Sequence, residues 1–290
     1  MIDVKDYSGK ISFEVQDSEL VELGYSEKRI PDIEDFISYL HDNNIYVIAR
    51  ISVFQDAHMV KKRPQLAVKD KAGAVWKDRK GISWIDPASE EMWGVIVKIA
   101  KEAERVGFDE LNFDYIRFPS DGNMTDISFP FWDEVTPRKD IMAKFFEYLN
   151  INLSDVGVPI SADLFGLTSS SKSDLNIGQM LEPALTYFDY VSPMVYPSHY
   201  PATFLGYKNP ALYPYEVIKS EMEAAKAKAI VVGLDENKLR PWIQDFDLGA
   251  DYTAEMINLQ KQAIYDAGLD SWLSWDPSNK YTRDAYDLAE

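Results

Sequence analysis

The sequence predicts an α/β fold of the TIM-type (β/α)8 barrel class, and three observations lead there. β-branched and aromatic runs alternate with stretches of helical period along the chain, the order expected of strand, crossover helix and parallel strand. Polar and charged residues recur where each such run ends, and in barrels that is the face that carries function. With 290 residues, 46% of them hydrophobic, the chain can bury one large core. The expected organisation is a single barrel domain over residues 1–290.

Residues 1–5 read as the first strand, ending in the turn cluster Asp6, Tyr7, Ser8 and Gly9. Pro31 opens a helix with Ile33, Phe36, Ile37 and Leu40 on one face, and Asn43-Asn44 ends it before a second strand over 46–53. A long polar loop follows to Trp84. Asp86-Pro87 reads as an N-cap with proline at the first helical position, leading into the apolar stripe Met92, Ile96, Ile99, Ala103 and Val106. Gly107 hands the chain to the central stretch 107–119, GFDELNFDYIRFP, a buried strand that Pro119 closes.

Beyond a loop over 120–136, a helix over 138–153 is marked by Ile141, Phe145, Phe146 and Leu149, and a strand over 159–164 leads into a serine-rich loop. The strand over 190–195 opens into a loop where prolines interleave with tyrosines, one expected wall of a cleft. Pro214 starts a helix, 239–246 reads as a strand, Thr253 caps a helix closed by Gly268, and 271–275 is the last strand, making seven. AIVVGL, 229–234, is a candidate eighth, but no helix separates it from the strand over 239–246, so it reads as an extension or insertion.

Lys plus Arg is 30 against 48 for Asp plus Glu, a formal charge of −18 that repels polyanions, so nucleic acid and anionic membrane surfaces are not expected partners. With 0 cysteines, disulfides, thiol catalysis and cysteine metal sites are excluded. No stretch has the length of a transmembrane segment, and the opening MIDVKDYSGK lacks the order of a signal peptide, which leaves localisation open. His41, His58 and His199 lack zinc-ligand spacing, and there is neither a GxSxG elbow nor a glycine-rich phosphate cradle. No cofactor or metal is expected, although so acidic a chain leaves calcium open.

The motifs IDVKDYSG, ARISVFQD, GFDELNFDYIRFP, SADLFG, YVSPMVYPSHY, LRPWIQDF and WLSWDPSNKYT together resemble a largely uncharacterised family of bacterial barrel proteins classed as glycoside hydrolases. The resemblance runs from Met1 to about Thr282. It implies a (β/α)8 barrel, cleavage of glycosidic bonds in a carbohydrate substrate, and an extracellular or cell-envelope setting. The family pattern carries one more strand and helix before the IDVKD strand, so the first strand is expected at an open edge that invites self-association.

Glycoside hydrolysis needs two carboxylates across the scissile bond. Asp114, Asp163 and Asp245, on successive strand ends, resemble the amylase-type arrangement. Asp114 is expected to be the nucleophile, kept ionised by Arg117 and Tyr115, and Asp163 the acid, its pKa raised by Leu164 and Phe165. His199 and Asp245 would bond sugar hydroxyls, and Trp242, Trp272 and Trp275 offer stacking faces. Tyr196, Tyr200 and Gln244 complete that wall, while Lys5, Asp6, Arg50 and Asp56 would ring the mouth with charge. Structural readings stand beside these. Asp114 with Arg117 would make a rim ion pair, Asp163 a loop cap, two of the tryptophans core, and Lys5, Asp6, Arg50 and Asp56 a salt-bridge group. The alternative function is a barrel that binds glycan without cutting it.

Overall fold

A computed structural model describes residues 1–286. They fall into two compact units. The first comprises Met1–Ala162 with Asn176–Gln179 and Tyr187–Asp189; the second comprises Asp163–Leu175, Met180–Thr186 and the chain from Tyr190.

In the first unit, β1 (Ile2–Lys5), β2 (Ile48–Ser52), β3 (Glu110–Asp114) and the start of β4 (Ile160–Phe165) form consecutive parallel neighbours. Arg50 lies in register with Asp3 on one side and Asn112 on the other, and Phe113 with Ala162. The faces of β3 separate by chemistry. Phe113 points to Phe188, which in turn meets Phe146 of helix α5 (Arg138–Asn152) with centroids 5.3 Å apart, so this face builds the apolar core. Glu110, Asn112 and Asp114 take the opposite face.

In the second unit the order continues from β4 through β5 (Tyr190–Met194), β6 (Trp242–Gln244) and β7 (Leu273–Trp275). The seven strands expected from the sequence are those of the sheet, with β1 and β7 at the ends of the order. AIVVGL is not a strand. Helix α7 (Pro214–Val231) runs into it, and Gly233, with φ 72°, turns the chain out of the helix. Among the described residues, no helix is long and apolar enough to cross a membrane.

Local chemistry corrects several boundaries. The central strand is shorter than 107–119 because Tyr115 takes a left-handed conformation, φ 54°, directly after Asp114. Asp86 is not the cap of helix α4 (Glu90–Arg105), since Ser89 accepts from the Met92 amide at that end. Asp86 instead accepts from the amides of Ala88 at 2.9 Å, Phe131 at 2.7 Å and Trp132 at 3.0 Å, tying the loop 120–136 to the start of the helix. Burial pushes its carboxyl above the ordinary range against those three amides. Asp86→Ala strands three amides, and urea unfolding should show a loss of about 2–4 kcal/mol, well beyond the loss of one cap. Thr253 caps helix α8 (Ala254–Asp266) as expected, and Gly268, φ 79°, ends it.

The long loop before Trp84 is organised by Asp78, which accepts from the amides of Lys80 and Ile82 and from the Trp84 indole at 3.0 Å. That loop also contains a short helix, α3 (Ala57–Lys62), capped by Asp56. Six residues are too few for a periodic signal, so the sequence alone showed only a polar loop.

Candidate active site

In the first unit the site is built on Asp114. It is the last residue of β3 and is buried, 5% exposed. Arg50, from the neighbouring strand, holds one carboxylate oxygen through Nε at 3.1 Å and through Nη2, while its Nη1 reaches Asp3 Oδ1 at 2.7 Å. One guanidinium thus bridges two carboxylates carried by β1 and β3. The second Asp114 oxygen accepts from the Tyr115 amide at 2.6 Å. Tyr115 is itself held in the left-handed region, and a non-glycine residue so held stores about 1–3 kcal/mol of strain.

The guanidinium bonded to Asp114 is therefore that of Arg50. Arg117 donates to the Phe118 carbonyl at 3.0 Å and to Ser120 Oγ at 3.1 Å, and it lies 4.8 Å over the Trp84 ring and 5.6 Å over Tyr115. Its burial among rings lowers its pKa from the ordinary arginine value. On the same face as Asp114, Asn112 donates to Ser161 Oγ at 3.1 Å, and Ser161 donates to Glu110 at 2.6 Å. Sequence reading missed this polar column. Only the alternation of Glu110, Asn112 and Asp114 signals it.

Lys5 and Asp56 are wholly buried and turned toward each other, Nζ to Oδ2 at 3.2 Å. Lys5 also donates to the Gln55 carbonyl at 3.1 Å, and Asp56 accepts from the Tyr25 hydroxyl at 3.0 Å and the Met59 amide at 2.6 Å. Gly9 closes over them. A Cβ there would lie 2.0 Å from Asp56 Oδ1, and its φ is 83°. Asp6 accepts from Arg29 at 2.7 Å and from the Ser8 amide at 2.9 Å.

In the second unit, Asp163 is buried and accepts from the Trp242 indole at 2.8 Å, and Trp242 meets Trp275 edge-on at 5.8 Å. Gln244 accepts from the Ser198 amide at 3.2 Å, beside a nest in which Tyr196 and His199 pack on Phe246. Burial holds the His199 imidazole below its ordinary pKa, so it is neutral at pH 7. Tyr200 is buried behind them. Asp245 accepts from Thr282 Oγ1 at 2.7 Å, the Thr282 amide at 3.0 Å and the Tyr286 hydroxyl at 2.9 Å. Trp272 reaches the Tyr265 hydroxyl at 3.0 Å and lies near Tyr286.

Thus Asp3, Arg50 and Asp114 share one cluster, Lys5 and Asp56 a second, Asp163, Trp242 and Trp275 a third, and Gln244, Tyr196 and His199 a fourth.

Several solved structures resemble this chain. The glycoside hydrolase domain of PgaB (BpsB) from Bordetella bronchiseptica matches with a TM-score of 0.67 at 14% identity, over 98% of this chain and 86% of that one. Alpha-L-fucosidase isoenzyme 2 from Paenibacillus thiaminolyticus matches with a TM-score of 0.62 at 14% identity, over 98% of this chain and 41% of that one. These likenesses show the fold, the α/β barrel type expected from the sequence. A hypothetical protein from Ruminiclostridium thermocellum is 35% identical over 56% of this chain and 80% of its own, with a TM-score of 0.50. No curated protein matches. A family model described as “Putative glycosyl hydrolase domain” matches residues 1–281, and the chain belongs to that family.

Proposed function

We propose that the protein is a glycosidase that cleaves a polysaccharide or oligosaccharide, with Asp114 as the carboxylate that attacks the anomeric carbon and Asp163 as the proton donor. The observation that carries this is the clamp on Asp114. A buried carboxylate bonded by a guanidinium and a backbone amide has a counter-charge beside it and keeps one orientation, as a nucleophile requires. The strain at Tyr115 supports the same reading, since left-handed non-glycine residues cluster at functional sites. Asp163 is buried and accepts from the Trp242 indole, so its carboxyl is held in one orientation, as a positioned proton donor requires.

Asp245, holding Thr282 and Tyr286, is assigned to anchoring the C-terminal segment, and Lys5 with Asp56 to fixing the loop after β2. Trp242 and Trp275 remain the stacking faces, and His199 with Gln244 the candidates for hydroxyl contacts. The formal charge of −18 favours neutral or basic glycans over anionic ones.

A panel of neutral, basic and anionic glycans tests the activity. New reducing ends are expected from a neutral or basic member, whereas saturable binding without release would make the protein a binding module. The role of Asp163 has its own signature. Asp163→Asn should lower turnover of unactivated glycosides by about 10²–10⁴-fold but spare, to within about tenfold, aryl glycosides whose leaving group needs no proton. Equal losses on both substrates would remove Asp163 from the acid role.

A further inference from the structure

Helix α7 carries a carboxyl that the chemistry above does not use. Glu221 is wholly buried in the second unit. Neither of its oxygens has a well-aligned donor, although the Ser170 amide and hydroxyl and the Tyr200 hydroxyl lie alongside. The Tyr200 hydroxyl is itself buried without an aligned partner. It is wedged against Gly166, where a Cβ would come within 2.6 Å of it and 2.5 Å of the Met194 carbonyl. Gly166 and Ser170 belong to the segment leaving β4, directly after Asp163, and Tyr200 to the segment leaving β5, next to His199. One buried carboxyl therefore underlies both.

We propose that Glu221 is a proton-operated latch on the two strand-end segments 166–173 and 196–207. Protonated, it is a neutral plug beneath Ser170 and Tyr200. Ionised, it is a buried charge that the closed arrangement leaves without adequate donors, and the segments open to admit water.

The groups around it set the direction of the response. Burial is the main influence on Glu221 and raises its carboxyl from 4.5 to about 7, while Ser170, Tyr200 and Lys228 pull the other way. Lys228 is engaged elsewhere, donating to the Thr168 carbonyl at 2.8 Å and to the Ser171 carbonyl, with Glu182 of helix α6 (Leu181–Tyr187) 3.9 Å away. Burial pushes the Tyr200 phenol well above its ordinary value, so it stays protonated across the relevant range. From α8, packed along α7, Asp266 is bonded to Tyr215 and Lys261 to the Ala285 carbonyl. A carboxyl whose pKa is higher in the closed state than in the open one stabilises closure fully below the ordinary value, and that stability fades as pH rises toward about 7.

Hydrogen exchange of the full chain, corrected for intrinsic base catalysis, reads the latch without any substrate and so stands apart from the glycosidase assignment. Between pH 6 and pH 8 the opening of 166–173 and 196–207 should rise about tenfold in the parent, from the two pKa values above. Glu221→Gln should abolish the rise, and Tyr200→Phe, which leaves the carboxyl in place, should keep it. A parent whose corrected exchange is flat over this range overturns the proposal, as does a rise spread evenly over the whole chain. A folded Glu221→Gln protein that loosens as the parent does also overturns it. If that variant fails to fold, the parent and Tyr200→Phe measurements decide.

Discussion

Asp114→Asn should reduce glycoside turnover by at least about 10³-fold while leaving the melting temperature within a few degrees of the parent. The carboxamide oxygen can still accept from the Tyr115 amide, and Arg50 keeps Asp3 as an ionic partner, so the substitution does not leave a buried guanidinium without a counter-charge. What is lost is the negative charge at the end of β3. Arg50→Ala is the contrasting case. It leaves the Asp114 carboxylate buried without its cation, and both activity and stability should fall. An Asp114→Asn protein that melts far below the parent would make the Asp114 cluster a structural ion-pair network, and parental turnover would exclude Asp114 from the chemistry.

The largest loss of stability is expected from Asp56→Ala, about 3–5 kcal/mol in urea unfolding with an unchanged slope. Lys5 is wholly buried, and burial already lowers its pKa against the pull of Asp56. Without that carboxylate the ammonium is a buried charge supported only by carbonyl dipoles such as Gln55 O. The same substitution removes the acceptor of the Tyr25 hydroxyl and the cap of α3. Replacing both members, Lys5→Met with Asp56→Leu, should recover part of the loss, because the cost lies in the unpaired partner rather than in the missing bond. A single Asp56→Ala variant within about 1 kcal/mol of the parent would show that water reaches this pair.

The alternation of strand and helix was legible because long elements average their signals. Sixteen residues of α4 repeat the apolar stripe over several turns. Caps and boundaries were less legible because they rest on one or two bonds. Asp86-Pro87 has the composition of a helix start, but the amides of Phe131 and Trp132, forty-five and forty-six residues on, compete for the carboxylate, and Ser89 caps instead. The pattern predicts a strand over 239–246; the continuous strand is Trp242–Gln244, with Leu239 bridged to Val191 ahead of it.

For the site, Asp114 stood out because a carboxylate at a strand end is costly without a partner. Its partner was misplaced. Arg117 is three residues away in sequence, but the left-handed turn at Tyr115 sends the chain onto a new course, and the parallel register carries Arg50 to Asp114 instead. Sequence proximity was a poor guide because neighbouring strands bring together residues sixty-four positions apart. Glu221 was invisible for a different reason. On a helix of mixed surface, one glutamate looks like any solvated charge until packing shows that it faces inward.

The most direct test of Asp114 as the attacking carboxylate is azide rescue of Asp114→Ala on an activated aryl glycoside of the sugar that the panel identifies. Azide should occupy the space left by the side chain, restore turnover in a concentration-dependent way and give a glycosyl azide as product, because the missing group is the one that bonds the anomeric carbon. A folded Asp114→Ala protein that azide does not rescue, or one that turns over this substrate as fast as the parent without azide, would contradict that role.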